Sequence, residues 1–280
     1  MVIRIHPIST GRVRIKKAQI TRKPGGPLRV MGDRDWSDWL PIYAWLIEHP
    51  EGLILVDTGE TCGTNGAGHF LRWHPYYRHS AAFAIREDEE IGPALARLGV
   101  RAQDVRTVLL THLHTDHAGG LCHLPNSTVW VSGPEWRLAR GWGGALRGYV
   151  THRWPKDLAP RFYDFSGPPL GPFTHTFAVT KARDVLVVPT PGHTPGHVAV
   201  IVRLNDISYF LAGDASYTDG ALRARAPDGV TFFPRMAVRT LDRIAAYART
   251  EPTIYLPTHD LRSAARLRET EILAMDVVAP

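Results

Sequence analysis

A cluster of histidines and an aspartate lies near the middle of the chain. His112, His114, Asp116 and His117 fall within six residues, directly after the apolar run Val105–Leu110. Neutral imidazoles and carboxylates are the ligands that zinc and similar divalent metals bind. If the strand direction continues, its period of two places His112, His114 and Asp116 on one side, and a turn brings His117 back to them. The alternative is a polar turn whose histidines are hydrogen-bonded within the protein. That interpretation would be preferred for a single histidine, but not for a cluster of four potential ligands.

Three distant segments each place one more ligand after a predicted strand. These segments end at His193, Asp214 and His259. Sites in α/β sheets form where the carboxyl ends of strands meet, so these side chains can reach the first cluster. The combined set exceeds what one tetrahedral ion binds and predicts two metals. We assign His112, His114 and His193 to one metal, and Asp116, His117 and His259 to the other, with Asp214 bridging.

Alternating strands and helices must position these ligands. A hairpin of Tyr43–Ile47 and Leu53–Val56 leads into Asp57-Thr58-Gly59, and a helical pattern runs from Glu87 to a stop at Gly99. Residues 60–86 are predicted to be a long loop and residues 141–184 a surface excursion. Other strands are predicted at Ile3–Pro7, Arg12–Ile15, Thr128–Val131, Val185–Val188, Val198–Val202, Ile207–Leu211 and Thr253–Leu256. The pattern predicts an α/β fold, with residues 1–280 as a single domain because no linker composition marks a boundary.

Composition narrows the class of protein. The chain has 280 residues, 44% hydrophobic and 21% charged, which excludes collagen-like, fibrous and wholly disordered proteins. The net charge of +6 comes from scattered cations, so no nucleic-acid partner is expected. The sequence shows neither an apolar run of the roughly 18 residues that span a membrane nor a signal-peptide core, so we expect no membrane partner and a cytoplasmic location. Cys62 and Cys122 are expected to form no disulfide, and Cys122 to be a small buried hydrophobe.

The ligand pattern resembles that of the metallo-β-lactamase superfamily. The His-x-His-x-Asp-His motif and the later His, Asp and His match in order, and Asp57-Thr58-Gly59 and the segment from Thr190 to His197 also look like that family. The resemblance covers roughly residues 40–260. It implies a four-layer αββα sandwich with a dinuclear metal centre between its sheets. Asp57 is expected to orient a ligand histidine from behind.

Within that superfamily, Asp214 separates this chain from the zinc β-lactamases proper, which use a cysteine there. The run Asp214-Ala215-Ser216-Tyr217-Thr218 resembles that of the N-acyl homoserine lactonases, in which a tyrosine at this place faces the substrate carbonyl. Tyr217 would then stabilise the oxyanion, although it could also be a half-buried aromatic that packs on a loop. The resemblance implies that a metal-bridging hydroxide opens the lactone ring of an N-acyl homoserine lactone or a related lactone, an activity called quorum quenching. Asp116 would pass a proton to the leaving alkoxide.

Several alternatives stay open. A glyoxalase II-like thioesterase or a lactonase for another, heterocyclic lactone would use the same dinuclear centre, and a catalytically silent metal-binding sensor is a hypothesis of another class. The expected cofactors are two divalent metal ions, Zn²⁺ first, with Mn, Co or Fe as substitutes. The expected partners are a small-molecule lactone and, by resemblance, a second copy in a homodimer.

Other polar residues carry weaker predictions. His197 is expected to pack at the start of a strand, and His123 to lie on a helix surface. Solvent exposure is expected for His69, His74 and His79 in the aromatic-rich loop. Three further basic residues at helical spacing predict a solvated face, namely Arg262, Arg266 and Arg268.

Overall fold

The structure of the protein is a computed structural model that describes residues 3–66 and 68–275. It consists of two compact units that are not contiguous in the chain. Unit 1 contains the residues up to Lys17 and Val30–Phe162, and unit 2 contains Ala18–Arg29 and the residues from Tyr163 onward. The short helices α1 (Lys17–Ile20) and α2 (Gly26–Gly32) lie where the chain passes from one unit to the other. The single domain predicted for residues 1–280 stays a prediction, and its residues 1, 2, 67 and 276–280 lie outside the described ranges.

Unit 1 is built on a mixed seven-stranded sheet of order β4-β1-β2-β3-β5-β6-β7. Strands β1, β2, β3 and β4 pair antiparallel, and β3, β5, β6 and β7 pair parallel. The strands are β1 (Arg4–Ile15), β2 (Leu40–His49), β3 (Gly52–Val56), β4 (Ala81–Ala84), β5 (Val105–Leu109), β6 (Thr128–Val131) and β7 (Arg161–Phe162). The helices are α3 (Pro75–His79), α4 (Ile91–Arg97), α5 (Thr115–Ala118) and α6 (Gly133–Arg140). Aliphatic side chains from the sheet and from α4 form one buried core.

Unit 2 is built on a mixed five-stranded sheet of order β12-β11-β10-β9-β8, antiparallel except for the parallel pair β11 and β12. The strands are β8 (Phe177–Ala178), β9 (Val185–Pro189), β10 (Val198–Leu204), β11 (Ile207–Gly213) and β12 (Thr253–Pro257). The helices are α7 (Asp219–Arg223), α8 (Pro234–Thr250) and α9 (Ser263–Arg268). One face of α8 packs Leu241, Ile244 and Ala245 into a second buried core.

Parallel pairing brings distant loops side by side in each unit. In unit 1, Val56 of β3 pairs with Leu109 of β5, so the segment after Val56 runs beside the segment that begins at Leu110. In unit 2, Gly213 of β11 pairs with Pro257 of β12, and Thr258 N donates to Gly213 O at 3.1 Å. The strand ends thus carry the candidate ligands to one edge of each sheet.

Three predicted elements differ from the structure. Residues 60–86 are not one loop, because they contain a 3-10 helix (Cys62–Asn65), α3 and β4, whose short alanine-rich sequence lacks strand periodicity but pairs with β1. The two N-terminal strands are one, β1, with an irregularity in its pairing between Ser9 and Arg12. The helix predicted from Glu87 is broken by the extended residue Glu90 into a 3-10 helix (Glu87–Glu89) and α4.

Candidate metal centre

The histidine motif of unit 1 is a loop that turns into a short helix. Strand β5 ends at Leu109, and α5 begins at Thr115 with His114 as its N-terminal capping residue. The prediction that strand alternation aligns Asp116 with the histidines is therefore wrong. His117 N donates to His114 O at 3.1 Å, so the chain is already helical at Asp116. Asp116 is partly buried on α5, whereas His112 and His117 are fully buried.

The three histidine rings of this motif nevertheless converge. His112 Nε2 lies 3.0 Å from His114 Nδ1, and the ring centroids of His112 and His117 are 4.0 Å apart. His114 Nε2 lies 3.0 Å from the carbonyl oxygen of Arg147, an acceptor only, so this nitrogen carries the proton. The lone pair of His114 is therefore on Nδ1, the nitrogen that lies beside His112 Nε2, so both nitrogens could bind one metal ion.

Asp57 holds the motif from behind, as predicted. Its Oδ2 accepts from His117 Nδ1 at 2.8 Å, and its Oδ1 accepts from the backbone N–H of Thr111 at 2.8 Å. With Nδ1 protonated by this contact, the Nε2 of His117 keeps its lone pair. Asp57 has a φ of 59°, in the left-handed region that Asp tolerates better than most residues. The carboxylate thus fixes both the tautomer of His117 and the path of the loop.

Two buried glutamates that the sequence analysis did not single out also anchor the motif loop. Glu60 accepts from the hydroxyl of Thr115, and Glu135 Oε1 accepts from the backbone N–H of Leu113 at 3.1 Å and from the Tyr149 hydroxyl at 2.8 Å. Burial raises the pKa of Glu60, while its hydrogen bonds lower it. Their spacing could not have identified them: Glu60 follows Asp57-Thr58-Gly59, but neither it nor Glu135 belongs to a repeated or paired pattern of ligand residues.

The ligand candidates of unit 2 gather around one carboxylate. Asp214 Oδ2 lies 3.6 Å from His193 Nε2, and Asp214 Oδ1 lies 3.4 Å from His259 Nε2. All three side chains are buried. Donor atoms bound to one tetrahedral zinc at about 2.0–2.1 Å would lie about 3.4 Å apart. The spacing of these donors therefore fits ligands of divalent metals.

Two further residues orient this group. Asp228 Oδ2 lies 3.2 Å from His193 Nδ1, so its carboxylate favours a proton on Nδ1 and leaves Nε2, the nitrogen that faces Asp214, for a ligand role. His197 Nε2 accepts from the backbone N–H of Asp214 at 3.0 Å. His197 thus does more than pack at the start of a strand, and Asp228 was not predicted at all.

Tyr217 lies beside the ligands of unit 2. Its ring stacks on His259 with centroids 5.3 Å apart and an interplanar angle of 22°. Its hydroxyl accepts from Gln19 Nε2 at 2.7 Å. Tyr217 is 4% exposed, so it is buried and not the half-buried aromatic of the alternative interpretation. Its contacts are with His259 and Gln19.

Several of the weaker predictions are wrong. His69 and His74 are buried, because the segment that holds them contains helix α3 and packs inward, while His79 is exposed as expected. Cys122 is exposed, not buried as predicted. Cys62 and Cys122 are both free thiols. Arg266 is buried because its guanidinium bonds to Asp260 and to the carbonyl oxygen of Tyr255, so it is not part of a solvated face.

The pKa values of both thiols are raised. A hydrogen bond with Glu90 raises the pKa of Cys62 to about 11, and desolvation of the sulfur by neighbouring groups, with the charge of Glu90, raises the pKa of Cys122 although the residue as a whole is exposed. Neither cysteine therefore has the lowered pKa of a nucleophilic thiol. Among the helices in the described ranges, none combines the length and apolarity that crossing a bilayer requires.

Comparisons with known proteins identify the family of this chain. The family model of the metallo-beta-lactamase superfamily matches residues 37–259. A probable metallo-hydrolase of Mycobacterium tuberculosis is 32% identical over an alignment of 217 residues that covers 74% of this chain but only 64% of that protein. The N-acyl homoserine lactonase AttM of Agrobacterium fabrum is 27% identical over an alignment of 266 residues that covers 92% of this chain and 93% of AttM.

A solved structure of an N-acyl homoserine lactone hydrolase, with the product N-hexanoyl-L-homoserine at its catalytic metal center, superimposes with a TM-score of 0.77. It is 23% identical and covers 94% of this chain and 95% of its own, so it is informative about the fold. The predicted fold class is therefore confirmed. With the family match and the ordered ligand motif, these comparisons show that the chain belongs to the metallo-β-lactamase superfamily.

Proposed function

We propose that this protein is a metal-dependent hydrolase that opens the lactone ring of N-acyl homoserine lactones and so quenches quorum signals. One observation carries the proposal: in each unit a buried aspartate lies at Nδ1 of a buried histidine, at 2.8 Å for Asp57 and His117 and at 3.2 Å for Asp228 and His193, and so favours Nε2 as the ligand atom. The similarity to AttM over nearly the whole of both chains supports the substrate class.

The proposed centre uses the seven ligands that the sequence pattern indicates. His112, His114 and His193 would hold one divalent ion, and Asp116, His117 and His259 the other, with Asp214 shared. The donor set of imidazoles and carboxylates favours zinc, and Mn, Co or Fe can replace it. When bound, such ions supply Lewis acidity and activate water near neutral pH.

The side chains of the protein have distinct roles in the proposed reaction. The Tyr217 hydroxyl donates a hydrogen bond to the lactone carbonyl oxygen, where negative charge develops as the ring carbon becomes tetrahedral. Water adds its oxygen to the carbonyl carbon and gives a proton to Asp116, which passes this proton to the ring oxygen as the C–O bond of the ring breaks. Asp57 and Asp228 keep the imidazoles of His117 and His193 in the ligating tautomer throughout.

The alternatives receive less support. A zinc β-lactamase proper would carry a cysteine at the position of Asp214. A thioesterase for glutathione conjugates would need a basic C-terminal patch, but Arg266 is buried against Asp260 and is not available to a tripeptide. The cytoplasmic location and the homodimer stay predictions.

The test combines metal analysis with a choice of substrates. Purified protein should contain about two divalent ions per chain and should hydrolyse N-hexanoyl homoserine lactone faster than S-lactoylglutathione or a β-lactam. His193→Ala should lose metal and activity, whereas His79→Ala, which changes an exposed histidine, should lose neither. Rapid thioester cleavage without lactone opening would contradict the proposal, as would full activity after complete metal removal.

A further inference from the structure

We propose that Gln19 is a positioning residue that directs the hydroxyl proton of Tyr217 toward the substrate; this inference rests on the proposed lactonase function. Gln19 belongs to α1, far from every ligand in the sequence, and is 3% exposed. No motif includes it. The proposed role of Gln19 depends on its side-chain nitrogen, Nε2, being the atom that contacts Tyr217.

The contact between the two side chains has a defined polarity. Gln19 Nε2 lies 2.7 Å from Tyr217 Oη, and the amide nitrogen can only donate. The phenol oxygen therefore accepts this bond, and its own O–H points away from Gln19. A phenol held in this way is prepared to donate to another acceptor, such as a carbonyl oxygen on which negative charge develops.

The backbone around Gln19 is fixed to the same loop that orients a metal ligand. Gly229 N donates to Gln19 O at 2.8 Å, and Arg22 N donates to Pro227 O at 2.8 Å. Asp228, which lies between these partners, contacts Nδ1 of His193. The segment that carries Gln19 is thus anchored beside the ligands of unit 2, and is not a free N-terminal arm.

The ring of Tyr217 is also fixed, so a change of hydrogen-bond partner at its hydroxyl acts on the direction of the O–H bond. Stacking on His259 and burial hold the ring plane. An acceptor in place of the Gln19 amide nitrogen would attract the phenol proton and turn it away from the substrate. The amide nitrogen of Gln19 therefore affects the substrate only through the orientation of the Tyr217 hydroxyl. An apolar side chain of the same size would not orient that hydroxyl.

The experiment reverses the polarity of the contact with Gln19→Glu, which is nearly isosteric but replaces the donor by a carboxylate oxygen. Tyr217→Phe should lower kcat for N-hexanoyl homoserine lactone roughly 10²-fold, as loss of one oxyanion donor does. Gln19→Glu should lower kcat to a similar extent, with KM and metal content unchanged, and Gln19→Met, whose thioether cannot donate and accepts only weakly, should lower kcat less. In the Tyr217→Phe background, both changes at Gln19 should have no further effect on kcat. Gln103→Glu, the same change at an exposed glutamine, is the matched control.

Three outcomes would overturn the inference: wild-type kcat in both Gln19 variants, losses that multiply with that of Tyr217→Phe, or losses that vanish only when a lowered metal content is restored. A spectroscopic measurement separates this failure from failure of the proposed function. The Raman Fermi doublet of tyrosine changes its intensity ratio when a phenol becomes a strong donor. Gln19→Glu should shift it in the wild-type background and not with Tyr217→Phe, even if no lactone is hydrolysed. An unchanged doublet would reject the role of Gln19 independently of any substrate.

Discussion

Replacing Asp57 by asparagine tests whether the buried carboxylate sets the tautomer of a metal ligand. Asp57→Asn keeps the shape of the side chain and one acceptor oxygen for the backbone N–H of Thr111. The other end becomes an NH₂ group that faces His117 Nδ1, where the carboxylate now accepts at 2.8 Å. Because two donors cannot share this contact, His117 must move its proton to Nε2, the atom that would bind the metal.

The expected cost is a loss of metal affinity and not a loss of fold. Removing such a carboxylate partner typically lowers metal affinity 10–100-fold, which is about 1.4–2.7 kcal/mol. Asparagine is the suitable replacement because it also tolerates the φ of 59° at this position. Alanine would add roughly 1–2 kcal/mol of backbone strain and confuse the two effects.

Metal affinity should be measured by competition with a chromophoric chelator, and thermal unfolding of the metal-free protein should be recorded beside it. Asp228→Asn is the equivalent change at His193 and should weaken metal binding to a similar degree. Asp88→Asn, on an exposed carboxylate, is the control. If Asp57→Asn binds metal within twofold of wild type and keeps its fold, the carboxylate does not set the tautomer and our reasoning is refuted.

Three further changes test the packing around the site and the second sheet. Gly120→Ala should destabilise the fold by about 1–3 kcal/mol in urea unfolding, because its Cβ would lie 2.3 Å from the backbone oxygen of Thr58. Burial raises the pKa of Glu60 above its ordinary 4.5, so the folded protein binds this proton more tightly than the unfolded chain does. The protein therefore loses stability as pH rises above 4.5, and Glu60→Gln should remove that loss from a profile of Tm against pH. Arg266→Met should cost about 3–5 kcal/mol of unfolding free energy, because it leaves the buried carboxylate of Asp260 without its cation.

Each of these changes has a matched control. Gly32→Ala adds a Cβ with no atom within 4 Å and should be tolerated. Glu87→Gln changes an exposed glutamate and should leave the pH profile as it is. Arg262→Met removes exposed ion pairs only and should not change stability measurably. Equal effects in a variant and its control would show that burial is not the cause.

The candidate ligands could be predicted from the sequence because their chemistry is local. A run of imidazoles and a carboxylate after an apolar strand is specific whatever the detailed backbone path. That path was predicted less well: α5 spans only Thr115–Ala118, too short to show a helical period, so Asp116 was placed on a strand.

The residues that support the ligands could not be predicted in the same way. Glu60, Asp228 and Gln19 are single polar residues, and each acts on a partner that folding brings close. The contact between Gln19 and Tyr217 joins positions 198 residues apart. The prediction for Arg266 was wrong for a related reason. Helical spacing indicates a solvated face, but it does not reveal that the buried carboxylate of Asp260 pairs with this arginine.

The interrupted course of the chain through its two units limits how the protein can be divided. A fragment that ends at Phe162 would contain all of unit 1 but would also carry Ala18–Arg29 without the loop to which Gln19 and Arg22 are bonded. A fragment that starts at Tyr163 would lack that segment, and with it the amide that contacts Tyr217. Split-reporter or domain-swapping designs that cut once would therefore produce two incomplete halves. Supplying residues 18–29 a second time, fused ahead of the later fragment, is what a workable division of this gene requires.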